Sequence, residues 1–532
     1  MMDTYDYVIV GGGTAGCVLA NRLTTSGKHR VLLVEAGGEP RSPWIQIPAG
    51  FSKLLTNPKY NWLFKTEAEE GTNRRVISVP RGKGLGGSTL INGMIYVRGQ
   101  AQDYDAWRDA GAKGWGGQDV EPYFRKLECY PQGGETRGKH GPLHLSQVNE
   151  RFPIADAFMQ AAVQGGQRLN EDYNSTEQEG FGYYQVNQRY GRRWSAYDAY
   201  LKPVRNRPNL TVVTGAHVLR VDLEGLRCVG ITYRCDGREV SVRAQLEVIL
   251  AAGAIQTPQL LELSGIGQPA LLQSLGIPVR HALQGVGENY IDHFATRMNW
   301  RVKNTVTLNE MSRGWRLAAA VSQYFTQRKG ILTLGTGLVH GFVKSRADLP
   351  APDAQYFFVH ASYANAAERI LDRAPGMTIG VAQLRPESVG SIHAKSADPM
   401  QGPSIRPNFL SSEVDRHCIV NSMKLARNIV AQPALAQFIA HEMSPGRKVI
   451  TDTDWLEFAR ANGQTIYHPL GTCRMGEDEQ AVVDSRLRLR GLSGLRVVDA
   501  SVMPKMVSGN IQAAVMMVAE KGVDLILEDR LS

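Results

Sequence analysis

The chain is 532 residues long, with 43% hydrophobic and 21% charged residues and a net charge of +9 from 60 basic against 51 acidic side chains. That length and balance exclude a fibrous or largely disordered protein and imply two or three folded units. The basic surplus is scattered, with no block of like charge and no interleaved aromatics even around its densest run, residues 74–83; it reads as solvated surface, so no nucleic acid partner is expected, while a mild pull on anionic substrates or a lipid surface is compatible with it.

The cysteines, at positions 17, 129, 228, 235, 418 and 473, form no CxxC pair and no zinc spacing. Reduced, structural thiols and no metal are expected. The N-terminus enters a strand pattern without a basic leader and apolar core, from which a cytoplasmic protein is expected. The most apolar stretch, residues 247–267, is broken by Gln256, Pro258, Gln259 and Glu262, too soon for a membrane span. Membrane association is therefore expected to be peripheral if it occurs.

In chain order, the first element is a β-branched and apolar run at residues 7–10, the kind of segment a buried parallel strand needs. A helical pattern follows at residues 15–23. Between them lies Gly11-x-Gly13-x-x-Gly16, with Thr14 and Ala15 opening the helix. Such glycines permit a tight turn and close approach to a pyrophosphate at the positive helix end. A second strand, residues 31–34, ends in Glu35 and Ala36. An acid there suits a ribose hydroxyl and disfavours a 2′-phosphate, so an adenine dinucleotide other than NADP is expected; FAD and NAD stay open at this point.

Two later stretches read GKGLGGSTLINGMIYVRGQAQDYD, residues 82–105, and GAIQTPQLLELSGIG, residues 253–267. They resemble the two signature segments of the glucose-methanol-choline oxidoreductase family, the first through Gly82, Gly86, Gly87, Ser88, Asn92, Tyr96, Gly99 and Asp105, the second through Gly253, Thr257, Pro258, Ser264, Gly265 and Gly267. The resemblance implies FAD as the cofactor. Its fold would be α/β, a Rossmann-like FAD-binding domain with an inserted substrate-binding domain on an antiparallel sheet. The implied division is 1–150, 205–300 and 460–532 for FAD, and 151–204 with 301–459 for substrate.

The same resemblance brings Gly93 and Met94 to the flavin beside Asn92, and Val218 to the adenine. Ile91 stands where some relatives carry the histidine that tethers FAD, so the cofactor is expected to be non-covalent. Val389 departs from the family's arginine. Leu338 and Val339 stand where choline-handling relatives place an acid, which points to a neutral aliphatic or aromatic alcohol rather than choline.

Most of the 12 histidines lie in polar or mixed surroundings. His293, in VGENYIDH, reads as structural. His468, in TIYHPLGTCRMG, stands in the His-Pro context of the family's catalytic histidine, and Asn510 matches the second active-site residue. Alcohol oxidation explains the pair: hydride leaves carbon readily only if the hydroxyl proton leaves too, which asks for a base of near-neutral pKa and a donor to the developing alkoxide. Cys473 and Met475 read as packing.

The C-terminal stretch begins with a strand at residues 495–498 and ends in a helix over residues 511–526, with Asn510 as its expected cap. The resemblance implies that Asp499 and Ala500 meet the phosphate and ribityl chain. Gln512 is expected at the flavin, in a looser match. The reading is oxidation of a primary alcohol to the aldehyde by hydride transfer to flavin N5, with oxygen or a quinone as acceptor; an oxygen-using oxidase and an FAD-holding hydroxynitrile lyase are the alternatives.

Overall fold

The computed structural model describes residues 3–365 and 370–530. Two seven-stranded sheets organise the chain. The first runs in the order Leu210–Thr214, Val31–Glu35, Thr4–Val10, Arg238–Leu250, Arg227–Cys235 and Ala216–Glu224, with Leu495–Val497 paired to Arg238–Leu250. Thr4–Val10 pairs in parallel with Val31–Glu35 and Arg238–Leu250, and Leu495–Val497 extends the parallel part. The two outer strands after residue 215 are antiparallel. Val8, Ile9, Leu33, Val248 and Ile249 have no solvent exposure to speak of, as expected of central parallel strands covered on both faces.

Helices Thr14–Leu23 and Gln512–Glu528 pack together against this sheet. Close packing of the first helix on its strand depends on Gly16, where a Cβ would lie 1.9 Å from the Gly11 carbonyl oxygen. Gly11 itself has φ +102°, a conformation that excludes most other residues from this turn.

The second sheet is antiparallel, in the order Ile439–Ser444, Phe294–Val302, Gly376–Gln383, Ala354–Val359, Val339–Val343 and Gly180–Tyr183, with Gln464–Thr465 beside Phe294–Val302. Its core holds Phe158, Phe181, Phe358, Met298 and Met423. Strand Phe294–Val302 spans the expected division at residue 300, and the turn Tyr197–Leu201 packs on helix Thr14–Leu23 rather than on the second sheet. Among the described residues no helix is long and apolar enough to cross a membrane.

Candidate active site between the two sheets

Four parallel strands deliver their C-terminal ends to one place. Val10–Gly11, Val34–Glu35, Ala251–Ala252 and Asp499–Ala500 all line a cavity of about 310 Å³ that reaches from the first sheet to the second. A ligand crevice outside the carboxyl ends of such strands is where an α/β sheet ordinarily binds.

At the first-sheet end the cavity wall is built from Gly11, Gly13, Thr14, Ala15, Glu35, Ala36, Gly87, Ser88, Val218 and Ala500. Gly16 and Gly86 stand behind this wall. The Glu35 carboxylate takes backbone N–H groups from Gly12, Gly37 and Gly84 at 2.8, 2.7 and 3.0 Å. It thereby ties the glycine turn to the loop at residues 82–88, a role the sequence did not indicate. Asp499 is equally committed: Gly253 N–H and Thr257 Oγ1 donate to one oxygen at 2.8 and 2.6 Å, and Ser501 donates twice to the other. Both carboxylates are buried, and burial pushes their pKa values upward while these donors oppose it.

Further along stand Asn92, Gly93, Met94, Ile91 and Gln512. Buried Arg193 donates to Asn92 Oδ1 at 2.6 Å, and Asn92 Nδ2 donates to Gln512 Oε1 at 2.5 Å. Gln512 Nε2 is left buried with no partner. An amide donor in that condition asks for an acceptor from a ligand. Little or nothing would meet a Cβ on Gly13 or Gly253, where the wall opens to the cavity. Backbone donors, glycine clearance and an orphaned amide fit a flat dinucleotide with carbonyl acceptors.

The second-sheet end carries His468 and Asn510, the candidate reactive side chains. The His468 backbone N–H donates to Asp292 Oδ1 at 2.8 Å, and Thr465 and Tyr290 hydroxyls donate to the other oxygen. Tyr467, immediately before, has φ +74°, and its carbonyl accepts from Arg81. A bulky residue in the left-handed region costs about 1–3 kcal/mol and persists only where surroundings hold it. That turn aims the imidazole of His468 into the cavity.

His468 is linked on both sides. Its Nδ1 lies 2.9 Å from Nδ1 of His293, whose Nε2 lies 3.0 Å from the Leu384 carbonyl oxygen. A carbonyl only accepts, so His293 carries its hydrogen on Nε2. Burial pushes the His293 pKa down to about 4, so the ring is neutral and Nδ1 is bare. The shared hydrogen therefore belongs to His468 Nδ1. Burial first, then His293 and Arg81, hold His468 well below the ordinary imidazole range. Neutral His468 thus presents a bare Nε2, 3.2 Å from Asn510 Nδ2, and Gln355 Nε2 faces Asn510 Oδ1 at 3.4 Å.

Three sequence expectations change here. A near-neutral pKa for His468 gives way to a strongly lowered one, because the ring is buried beside a cationic guanidinium. Asn510 does not cap the last helix: Ile511 occupies the cap position without a side-chain bond, and the Asn510 amide is engaged by His468 and Gln355. His293, expected to be structural, is fully buried and hydrogen-bonded to both His468 and the Leu384 carbonyl. Leu338 and Val339 do not line the cavity at all; Val339 opens an interior strand of the second sheet and both side chains sit in its core.

The reading of Cys473 and Met475 as packing needs no change. Cys473 is buried in the first core with its thiol pKa raised well above the usual value by burial, and Met475 packs beside it. Arg474 pairs with Asp478 at 2.6 Å. Among the described residues no group of three or more His, Cys, Asp or Glu is placed to hold a metal.

The glycine-lined cavity with polar side chains at its far end is the form of a nucleotide-binding enzyme site, and comparison with known proteins gives the class. Two family profiles described as GMC oxidoreductase match residues 5–295 and 386–519. Mitochondrial choline dehydrogenase of Mus musculus is 41% identical, covering 99% of this chain and 91% of the relative. Alcohol dehydrogenase [acceptor] of Pseudomonas putida is 40% identical over 98% and 96%. The crystal structure of pyridoxine 4-oxidase from Mesorbium loti superimposes with a TM-score of 0.88 at 32% identity, covering 98% of each chain. The chain belongs to the GMC oxidoreductase family and is an FAD-dependent dehydrogenase or oxidase acting on CH–OH groups.

Proposed function

We propose that the protein oxidises a neutral primary alcohol to its aldehyde, with His468 as the base. The directional chain from the Leu384 carbonyl through His293 to His468 supports this reading most strongly, because it leaves Nε2 unprotonated and pointing into the cavity. FAD, when bound, supplies the hydride acceptor.

The alcohol hydroxyl takes the place of Asn510 at His468 Nε2 and donates its hydrogen there. The Asn510 amide, 3.2 Å from the same nitrogen, then donates to the alcohol oxygen as charge develops on it. When Nε2 accepts the proton, His468 becomes a cation whose Nδ1–H still faces the bare Nδ1 of His293. That hydrogen bond becomes charge-assisted and strengthens as the proton arrives. His293 is thus a positioning residue that fixes the tautomer and supports the imidazolium, offsetting the burial that disfavours it.

The substrate class rests on the cavity lining. Its two lining carboxylates, Glu35 and Asp499, are taken up by protein donors, while Arg81 and Arg297 line it as cations. A quaternary ammonium would meet no free counter-charge. Phe357, Val359 and Ile466 suit an aliphatic or aromatic alcohol. On this reading the first sheet carries the cofactor unit and the second the substrate unit, and Ile91 offers no atom for a covalent link to FAD.

Anaerobic mixing of the FAD-loaded protein with hexyl alcohol, benzyl alcohol and choline tests the reading. The two neutral alcohols should bleach the flavin at lower concentration than choline, and acid precipitation should release the yellow cofactor. A flavin that stays oxidised with every alcohol would favour a lyase; choline reacting most efficiently would overturn the substrate class.

A further inference from the structure

Helix Gly314–Gln327 turns its apolar side outward. Ala320 and Tyr324 are its buried positions. At 3.6 residues per turn, Trp315, Ala318, Val321, Ser322 and Phe325 fall on the opposite, solvent-facing arc. Trp315 is 77% exposed and Phe325 59%. Beside the helix end stands the hairpin tip that carries Tyr190, 80% exposed; the tip is close enough that a Cβ on Gly191 would lie 2.3 Å from the Arg328 carbonyl oxygen. Three large aromatic rings from two elements therefore project from one edge of the molecule.

Cations accompany them. Arg316 lies over the Trp315 ring and Arg328 over those of Tyr324 and Phe325. Lys329 and Arg192 are exposed at the same end. Residues 311–347 contain no Asp or Glu. Nearby, Glu310 lies 3.9 Å from Arg316, Glu150 accepts the Gly330 N–H, and the Asp372 carbonyl accepts from Arg313. An apolar helix face with Trp and Phe, flanked by Arg and Lys, is the composition by which helices lie in a headgroup layer, and Trp and Tyr favour that interface.

We propose that this face docks the protein peripherally on a bilayer bearing anionic headgroups. The rings enter the interface while Arg192, Arg316, Arg328 and Lys329 meet the phosphates. The inference is independent of the reaction assigned above, yet it bears on access: the segment after the helix, Ile331–Thr333, packs on Pro48–Gly50 and leads to Thr336, which lines the cavity.

The test is co-sedimentation of the FAD-loaded full chain with vesicles of phosphatidylcholine, alone or mixed with phosphatidylglycerol. Binding should appear on the mixed vesicles and weaken with added salt. Trp315→Ser with Phe325→Ser should reduce it roughly tenfold or more, and Arg328→Glu with Lys329→Glu by roughly fivefold per charge. Both variants should keep their FAD and their rate with a soluble acceptor. Equal binding to both vesicle types, or a double variant that binds like the wild type, would overturn the proposal. So would a soluble dimer that Trp315→Ser dissociates, since the face would then belong to a second copy.

Discussion

The two ends of the cavity are built by different means. At the first-sheet end the contacts are mostly backbone: glycines that leave room, N–H groups that point at Glu35, and strand ends placed by parallel pairing. At the second-sheet end they are side chains from distant parts of the chain, joined in one direction by hydrogen bonds. A backbone cradle tolerates the loss of any one side chain, whereas a directional chain fails when one link is removed. Binding and chemistry should therefore separate under mutation.

The largest separation is expected for His468→Ala. FAD content should stay near that of the wild type, while flavin reduction by a good alcohol slows ~10²–10⁴-fold, the span of a lost general base. Because burial keeps the His468 pKa well below 6.5, the wild-type rate should also hold steady as pH falls from 8 to 6.5 rather than halve at the usual imidazole value. Stopped-flow reduction across that range checks both statements.

Asn510→Ala should slow reduction by ~10²-fold, as for a lost oxyanion donor. Since Asn510 caps no helix, FAD retention and thermal stability should be little affected. Substantial cofactor loss in this variant would restore a structural role for the residue and blur the contrast between the two ends.

His293→Leu should cost less, roughly tenfold in reduction, about the value of one hydrogen bond that leaves a buried donor unpaired. His293→Gln, whose amide offers both an acceptor and a donor, should recover part of that rate. A merely structural histidine would show the loss in stability and in both variants alike, which circular dichroism and the rate comparison together would reveal.

The smallest effect on rate is expected far from the chain, at His393. Its Nδ1 lies 2.7 Å from Glu262 and its Nε2 3.2 Å from Glu288. Burial opposes the charged ring, but the two carboxylates outweigh it and hold the pKa up to about 9. A raised pKa means stability that is fully present below 6.5 and lost as pH rises through 9, about 3 kcal/mol at most from the shift between those values. Denaturation midpoints should fall between pH 7 and 10 in the wild type and fall less in His393→Gln, with reduction rates unchanged at pH 7.

The same contrast explains what the sequence revealed. Gly11, Gly13 and Gly16 lie in one turn between a strand and a helix, so their spacing alone signals a close backbone approach, and the structure places the first two in the wall and Gly16 in the packing behind it. His468 was visible through its local context. Its partners were not: His293 is 175 residues away in sequence and Gln355 is 155 from Asn510, and no local pattern reports contacts between segments that only the folded sheets bring together. Asn510 misled because an asparagine before a helix is the ordinary signature of a cap. Leu338 and Val339 misled because a match to a family position does not say which way a strand faces.

The tautomer of His468 is the central claim, and nitrogen NMR of FAD-loaded protein with ¹⁵N-labelled histidine tests it most directly, with the His468→Ala spectrum identifying the signals. At pH 7 the His468 Nδ1 should carry the proton and Nε2 should give the shift of a bare, accepting nitrogen. A protonated Nε2 in the neutral ring would contradict the account, because no base would then face the alcohol.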